Sequence, residues 1–291
     1  MIEKNSVLGS IIGDIAGSRF EFAPIKSKDF ELLLKGEHCL DKNQTYYEYS
    51  TTCHFTDDTV MTIAITNALL EANGNYQNLK ELAVKNMKYF DRKYPLAGYG
   101  SKFIGWLMKS TSEPYNSFGN GSAMRVSAVP YFAKNVDDVK MLSKMVTEVT
   151  HNHPEGIKGA EATAVCIWMA LNGFNKDYIK KYVEDNYYKL DFDYENLVKN
   201  YKHIEICQDS VPQSIFSFLI SNNYEDCLKT AISLGGDADT MACIAGGIAA
   251  AYYGVPKEIE KKGLEFLPND FLDVLKKNFN FKKWKSYHFY G

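Results

Sequence analysis

The spacing of apolar residues is the feature that most restricts the fold of this chain, because it is helical almost throughout. Over residues 7–15 and 60–69, apolar side chains recur at steps of one, three and four residues. Such steps place side chains on one face of an α-helix. Strand-like alternation is scarce, and its best candidate is 46–50. The pattern predicts an all-α fold, with a single compact multi-helix domain over residues 1–291.

Further helices are predicted along the rest of the chain. Ser122 and Asp177 are suitable N-cap residues for two of them, and no repeat or Pro/Gly/Ser-rich linker divides the chain. The stretches 22–54 and 187–209 carry the weakest pattern. The predicted helices cover 78–91, 101–109, 122–133, 137–149, 157–171, 177–187, 211–221, 224–233, 239–253, 256–262 and 270–278.

Charge and cysteine usage exclude several classes of protein. The net charge is −3 and the pI is about 6.1, which argues against stable binding to nucleic acid or to an anionic membrane. The six cysteines form no Cys-x-x-Cys pair, so the usual zinc and dithiol sites are not expected. Asp14 and Arg19 interrupt the N-terminal apolar run, so a signal peptide is not expected. The weakly polar stretch 241–255 is too short to span a membrane. We expect a cytoplasmic protein.

Two acidic clusters carry most of the functional information. Thr-Asp-Asp-Thr occupies 56–59 and Gly-Gly-Asp-Ala-Asp-Thr occupies 235–240, each before an apolar, helix-like run. Neighbouring carboxylates raise each other's pKa unless a cation neutralises them. Carboxylate and hydroxyl oxygens are the ligands that Mg²⁺, Mn²⁺ and Ca²⁺ prefer. We interpret the clusters as two halves of one metal site, and simple helix capping is the alternative for either cluster alone.

Three other segments are unusual. In 13–22, glycines interrupt an apolar helix, which indicates close packing or backbone access. In 118–125, a glycine-rich turn opens a helix, where backbone N–H groups can cradle a phosphate. In 150–156, two histidines precede Pro154, and polar recognition of a ligand is favoured over zinc because no third His or Cys is suitably placed. The alternatives are a solvent-exposed Glu21 in the first segment, a plain turn in the second and a simple loop with histidine caps in the third.

Taken in chain order, these segments resemble one family. Five matching segments occur in sequence: Gly13-Asp14 with Glu21, then 56–59, 119–125, 150–154 and 236–240. Together they are similar to the motifs of the ADP-ribosylglycohydrolases, a family that includes the dinitrogenase reductase-activating glycohydrolase and the ADP-ribosylarginine hydrolases. The matches extend over about residues 9–254, and no acidic position departs from the pattern.

The resemblance implies an all-α fold with a binuclear Mg²⁺ centre, supported by Mn²⁺ in some members, that removes ADP-ribose from a modified target. It places Glu21 near the metals on a mobile flap. The implied metal ligands are Thr56, Asp57, Asp58, Asp237, Asp239 and Thr240. The implied ADP-ribose-binding residues are Gly98, Gly100, Ser117, Phe118, Gly119, Asn120, Ser122 and His151.

The expected chemistry is hydrolysis at the anomeric carbon of the distal ribose, where oxocarbenium character develops. The metals would hold the ribose hydroxyls and a water molecule. The general base is Glu21, Asp57, Asp58 or Asp237, and the sequence does not decide between them. The expected partner is an ADP-ribosylated protein or small molecule, bound by a monomer. Segments 119–125 and 150–154 look closest to those of the bacterial arginine-specific branch of the family, so the resemblance favours ADP-ribosylarginine over serine, nucleic-acid or small-molecule conjugates.

Two functions of other classes compete with hydrolysis of the glycosidic bond. The same residues would also suit a module that binds ADP-ribose without cleaving it. A paired-carboxylate metal centre would equally suit a phosphoesterase acting on ADP-ribose or a related nucleotide. The intact acidic set favours an enzyme over a binding module, and the reaction products distinguish the two enzymes.

Overall fold

The computed structural model describes residues 4–36 and 51–278, and these residues form helices joined by loops. No strand occurs within them, and a single isolated bridge pairs Gly119 with Ile206. The all-α prediction is therefore confirmed. The strand candidate at 46–50 lies outside the described residues. The helices are α1 Ser6–Gly17, α2 Asp57–Ala72, α3 Leu79–Lys93, α4 Ser101–Leu107, α5 Val136–Thr147, α6 Pro154–Leu171, α7 Lys176–Asn186, α8 Tyr194–Asn200, α9 Cys207–Ile220, α10 Tyr224–Ser233, α11 Ala238–Tyr253 and α12 Lys257–Leu264, followed by a helix over 269–278.

The predicted helix over 122–133 is wrong. The chain forms two short 3₁₀ turns there, Asn120–Ser122 and Val129–Phe132, separated by irregular backbone. Pro130 lacks an N–H group and restricts the residue before it. In addition, the Met124 carbonyl accepts a hydrogen bond from the Thr62 hydroxyl at 3.2 Å, so it serves another helix instead of its own.

Helix α8 lies within the stretch 187–209, where the sequence pattern was weakest. Its N-cap is Asp193, whose Oδ1 accepts a hydrogen bond from the Asn196 N–H at 2.7 Å. None of its residues is buried, so this helix has no apolar face from which the sequence could have predicted it. Helix α9 likewise begins at Cys207, four residues before the predicted start, and contains Pro212 in its first turns.

Helices α1 and α11 form the centre of the fold and approach each other backbone to backbone. A Cβ atom added at Gly13 would lie 2.1 Å from the Ala242 carbonyl oxygen, and one at Gly17 would lie 2.4 Å from that of Ala238. Larger side chains would therefore hold the two helices apart. The helices run antiparallel, which places the end of α1 beside the start of α11.

The starts of α2 and α11 meet at this point. Thr56 caps α2, and its hydroxyl accepts the N–H of Asp58 at 3.2 Å. Asp237 occupies the N-cap position of α11. Because a helix N-terminus favours negative charge, two converging N-termini are a suitable base for an acidic cluster.

Both central helices are buried along almost their whole length, and they share one apolar core with α2, α6, α9 and α10. Among the described residues, no helix combines the length and the apolar character that crossing a membrane requires.

Candidate active site

The carboxylate of Asp14 fastens the start of α2 to α1. Thr56 donates its N–H to Oδ2 at 3.0 Å and its hydroxyl to Oδ1 at 2.7 Å. Thr59 donates both its N–H and its hydroxyl to Oδ2, at 3.0 and 2.5 Å. These four donors occupy the carboxylate, so Asp14 positions the first acidic cluster. Burial nevertheless raises the pKa of Asp14 to about 6, against the lowering effect of the hydrogen bonds.

Asp58 and Asp239 face each other across the junction of α2 and α11. The Thr240 hydroxyl donates to Asp58 Oδ2 at 3.0 Å, whereas the buried Asp58 Oδ1 has no hydrogen-bond partner. Three carboxylate oxygens, one each from Asp14, Asp58 and Asp239, lie within 4.8 Å of one another. Burial, and then repulsion between carboxylates, raises the pKa of Asp58 and of Asp239 well above the ordinary value. A buried, unpaired carboxylate oxygen in such a group fits a cation.

A second carboxylate group adjoins the first and shares Asp239 with it. Oxygens of Glu21, Asp237 and Asp239 again lie within 4.8 Å of one another. The Asn120 amide donates to Asp237 Oδ2 at 2.6 Å. Burial raises the pKa of Asp237 to about 7, and burial together with Asp239 and Asp57 raises that of Glu21 to about 9. Two adjoining oxygen-rich groups with one shared member fit a pair of metal ions.

Asp57 lies on the cleft side of α2, next to the turn that precedes α4. Its N–H donates to the Ala97 carbonyl at 2.7 Å, and a Cβ atom at Gly98 would lie 3.8 Å from its Oδ1. Gly98 has φ of 97°, which favours glycine. Burial, and then the charge of Asp14, raises the pKa of Asp57 to about 7.

These carboxylates line one part of a cleft of about 490 Å³, a volume within the usual range for small-molecule sites. Most of the residues selected from the sequence meet there. The hydroxyl of Ser122 instead points to the Gly156 carbonyl, at 2.8 Å, and Thr56 lies behind the cleft surface. The predicted residues that line the cleft are Glu21, Asp57, Asp58, Gly98, Gly100, Ser117, Phe118, Gly119, Asn120, His151, Asp237, Asp239 and Thr240.

Aromatic rings border the same cleft and offer faces for a planar ligand. Phe118 is 39% exposed, and its ring centroid lies 5.1 Å from that of His153. Phe22, 76% exposed, lies 6.0 Å from His203 by the same measure. Sequence analysis did not select Phe22 or the buried Arg125, which also lines the cleft. The sequence feature that could have indicated these two residues is their position at the ends of the glycine-containing segments 13–22 and 118–125.

The segment after Glu21 contacts the chain just before the second acidic cluster, through Lys26. Lys26 donates to the Tyr201 carbonyl at 2.8 Å and also to the Leu234 carbonyl. Its aliphatic chain lies so close to Gly235 that a Cβ atom there would be 2.6 Å from Lys26 Cε. Burial lowers the pKa of Lys26. The segment that follows Glu21 is therefore in contact with the residues that precede Asp237.

Comparison with known proteins identifies the family. The ADP-ribosylglycohydrolase family model matches residues 4–282. The chain belongs to this family. Hydrolysis of a glycosidic bond is accordingly its activity, and the buried carboxylates are able to hold a metal ion.

Individual relatives cover most of the chain. ADP-ribosylhydrolase ARH3 of Gallus gallus is 28% identical over 86% of this chain and 85% of its own length. The protein of that name from Homo sapiens is 26% identical, with coverage of 87% and 85%. ADP-ribosylarginine hydrolase Tri1 of Pseudomonas putida (strain GB-1) is 24% identical over 89% of this chain and 73% of its own length.

The fold also resembles a solved structure described as an ADP-ribosylglycohydrolase-related protein complex. The TM-score is 0.68, and the match covers 96% of each chain at 19% sequence identity. This likeness supports the all-α architecture independently of the sequence matches.

Proposed function

We propose that this protein is a Mg²⁺-dependent hydrolase that releases ADP-ribose from an ADP-ribosylated side chain, with arginine as the first candidate. The observation that carries the proposal is the pair of buried carboxylate groups that share Asp239 at one part of a cleft of ligand size. Two Mg²⁺ ions would neutralise these groups, and Mn²⁺ would replace them with the same oxygen ligands. The proposed ligands are Thr56, Asp57, Asp58, Asp237, Asp239 and Thr240.

When bound, the ions would supply positive charge that orients the ribose hydroxyls and acidifies a water molecule. The protein's own part is to accept the water proton. Asp58 and Asp237 already accept hydrogen bonds from Thr240 and Asn120, at 3.0 and 2.6 Å. Glu21 and Asp57 are therefore the preferred general bases, because no side-chain donor occupies either carboxylate among the described residues.

The remainder of the cleft would hold the rest of ADP-ribose. The aromatic faces of Phe118 and Phe22 suit an adenine ring, and the buried cation of Arg125 suits the charge of a diphosphate. Ser117, Gly119 and the turn at Gly98 and Gly100 supply backbone and hydroxyl groups along the same wall.

The preference for arginine rests on charge. Glu205 lines the cleft outside both carboxylate groups; its side chain is 68% exposed, and its Oε1 lies 2.9 Å from His203 Nε2. A guanidinium leaving group is complementary to this extra negative charge, whereas a serine hydroxyl is not. The relative Tri1 is described as an ADP-ribosylarginine hydrolase, which supports the same choice.

We further propose that the protein works as a monomer in the reducing cytoplasm. Cys166, Cys207, Cys227 and Cys243 are buried free thiols that function as small apolar residues. The net charge of −3 supports a protein or small-molecule partner over nucleic acid.

A substrate panel tests the proposal. Peptides carrying ADP-ribose on arginine or on serine, and ADP-ribosylated nucleotides, are incubated with Mg²⁺ or with a chelator. Intact ADP-ribose should appear only with Mg²⁺, and fastest from arginine. Release of AMP or phosphate would indicate a phosphoesterase, binding without any product would indicate a recognition module, and faster release from serine would overturn the arginine assignment.

A further inference from the structure

Arg125 is a buried cation that lacks an ion-pair partner in the part of the chain described here. Its side chain is 1% exposed and lines the cleft. Nη2 donates to the Thr150 hydroxyl at 2.7 Å, and Nε has no hydrogen-bond partner. Burial lowers the pKa of Arg125 to about 10, so the side chain is still charged at neutral pH. The guanidinium therefore occupies one acceptor site of the Thr150 oxygen.

The single proton of the Thr150 hydroxyl has two candidate acceptors. His151 Nδ1 lies 2.7 Å from Oγ1, and the Thr147 carbonyl lies 3.3 Å from it. That carbonyl already accepts the backbone N–H groups of Thr150 and His151, at 3.2 and 2.9 Å. A carbonyl oxygen has two lone pairs, and both are used. The shorter distance and the free lone pair both direct the proton to His151 Nδ1.

This arrangement fixes the state of the imidazole. A ring nitrogen that accepts a hydrogen bond leaves the ring proton on the other nitrogen, Nε2. Burial, and then the charge of Arg125, holds the pKa of His151 well below its usual range, so the ring is neutral. Nε2 lies on the cleft side, where a Cβ atom at Gly119 or Gly121 would be 3.5 or 3.6 Å away.

We propose that Thr150, oriented by Arg125, is a positioning residue that keeps the proton of His151 on Nε2 and so presents a hydrogen-bond donor to the cleft. The diphosphate oxygens of ADP-ribose accept hydrogen bonds and do not donate them at neutral pH, so they fit this tautomer and not the opposite one. The inference rests on the proposed function only in naming ADP-ribose as the ligand.

Nitrogen NMR of the protein with ¹⁵N-labelled histidine tests the tautomer directly. The chain has six histidines, and the signals lost in His151→Gln identify the ring. In the wild-type protein the Nε2 signal should have the shift of a protonated nitrogen and Nδ1 that of an unprotonated one. Thr150→Val should move both signals towards the opposite tautomer, Arg125→Met should shift them in the same direction, and Thr150→Ser should restore them.

Thr163→Val is the matched control, because it deletes a buried hydroxyl that donates to the Gly159 carbonyl at 3.0 Å, outside the cleft. It should leave the His151 signals unchanged. Variants are compared only where their thermal unfolding is cooperative, and Arg125→Met, which removes the donor to the Thr150 hydroxyl, provides the answer if Thr150→Val does not fold. A wild-type ring with its proton on Nδ1, or an unchanged ring in Thr150→Val, would overturn the proposal.

Binding of ADP-ribose, measured by calorimetry, provides the functional readout. Thr150→Val should weaken binding by about tenfold, the effect of roughly one lost hydrogen bond, and Thr150→Ser should bind like the wild type. Equal affinity of both variants would contradict a positioning role. The tautomer measurement needs no ligand, so a wild-type protein that binds no ADP-ribose would refute the proposed function alone.

Discussion

Asp239 is the residue on which the acidic centre depends most, because it belongs to both carboxylate groups. Its burial and the repulsion from Asp237 raise its pKa well above the ordinary value, and these are the conditions that a bound cation relieves. A single amide substitution at this position tests both groups together while it preserves the size of the side chain.

We expect Asp239→Asn to lower turnover by more than about 100-fold, since even indirect support of a metal ligand contributes 10–100-fold. Mg²⁺ affinity should fall with it, and the far-UV circular dichroism should be unchanged because a repulsive charge is removed. Titration calorimetry and product release are the measurements. Asp185→Asn, at an exposed Lys181 ion pair, is the control. A folded variant with full activity would falsify the two-metal proposal.

The ring of Phe118 should contribute to binding of the substrate and not to the chemical step. Phe118→Ala is expected to raise KM by about tenfold with little change in kcat, because base stacking contributes roughly 1–3 kcal/mol. Tyr178→Ala removes an exposed ring that contacts only Phe174, at 5.0 Å, among the aromatic pairs of the described residues, and it should leave KM unchanged. Steady-state kinetics on the preferred substrate decides the matter, and a change confined to kcat would contradict this role.

The sequence indicated the proposed acidic ligands but not the residues that hold them. Asp57, Asp58, Asp237 and Asp239 are recognisable because each lies within two residues of another acid at the start of an apolar helix. The role of Asp14 is not, since its hydrogen-bond donors come from Thr56 and Thr59, 42 and 45 residues away. Arg125 ends the glycine-rich segment 118–125, but its burial beside the cleft follows from tertiary packing.

At the level of elements, the close contact of α1 with α11 brings the acidic clusters together. Helix periodicity predicted both helices, but not that their backbones touch through glycine and alanine. The pattern was wrong over 122–133, where the apolar residues are buried without forming a helix. There, backbone groups are used by side chains of α1 and α2, as when the Ser6 hydroxyl donates to the Ser127 carbonyl at 2.9 Å.

Gly13→Ala should destabilise the fold, since its Cβ atom would lie 2.1 Å from the Ala242 carbonyl oxygen and would push α1 from α11. Overpacking of this kind costs about 1–3 kcal/mol. Gly105→Ala is the matched control in α4, where an added Cβ atom meets nothing within 4 Å and helix propensity favours alanine by up to about 1 kcal/mol. Denaturant unfolding measures both, and equal stability of the two variants would contradict the contact.

At the level of the whole molecule, the acidic centre couples stability to pH and, under the proposed function, to Mg²⁺. The pKa is raised to about 6 in Asp14, about 7 in Asp57 and Asp237, and about 9 in Glu21, each chiefly by burial. Because the folded state binds these protons more tightly than the unfolded chain does, their stabilising effect is complete below about pH 4. It is lost as the pH rises through the folded-state values.

We therefore expect the unfolding temperature of protein treated with a chelator to decrease from about pH 5 to about pH 8. Added Mg²⁺ should raise the unfolding temperature strongly at about pH 8 and weakly at about pH 5, since binding requires deprotonated ligands. Scanning calorimetry across this range, with Asp239→Asn as the comparison, measures the effect. An equal increase at both ends of the range would show that Mg²⁺ binds elsewhere.

The pairing of α1 with α11 also has a consequence for synthesis on the ribosome. The Asp58–Thr240 contact joins residues 182 positions apart. At about 5–20 residues per second, roughly 10–40 s separate the emergence of its two partners. Helix α1 precedes Asp58 in the chain, so for at least that time its apolar surface has no α11 to cover it and is available to chaperones. The proposed centre includes Asp239 and Thr240 of α11, so we expect an unfinished chain that stops before α11 to lack hydrolase activity.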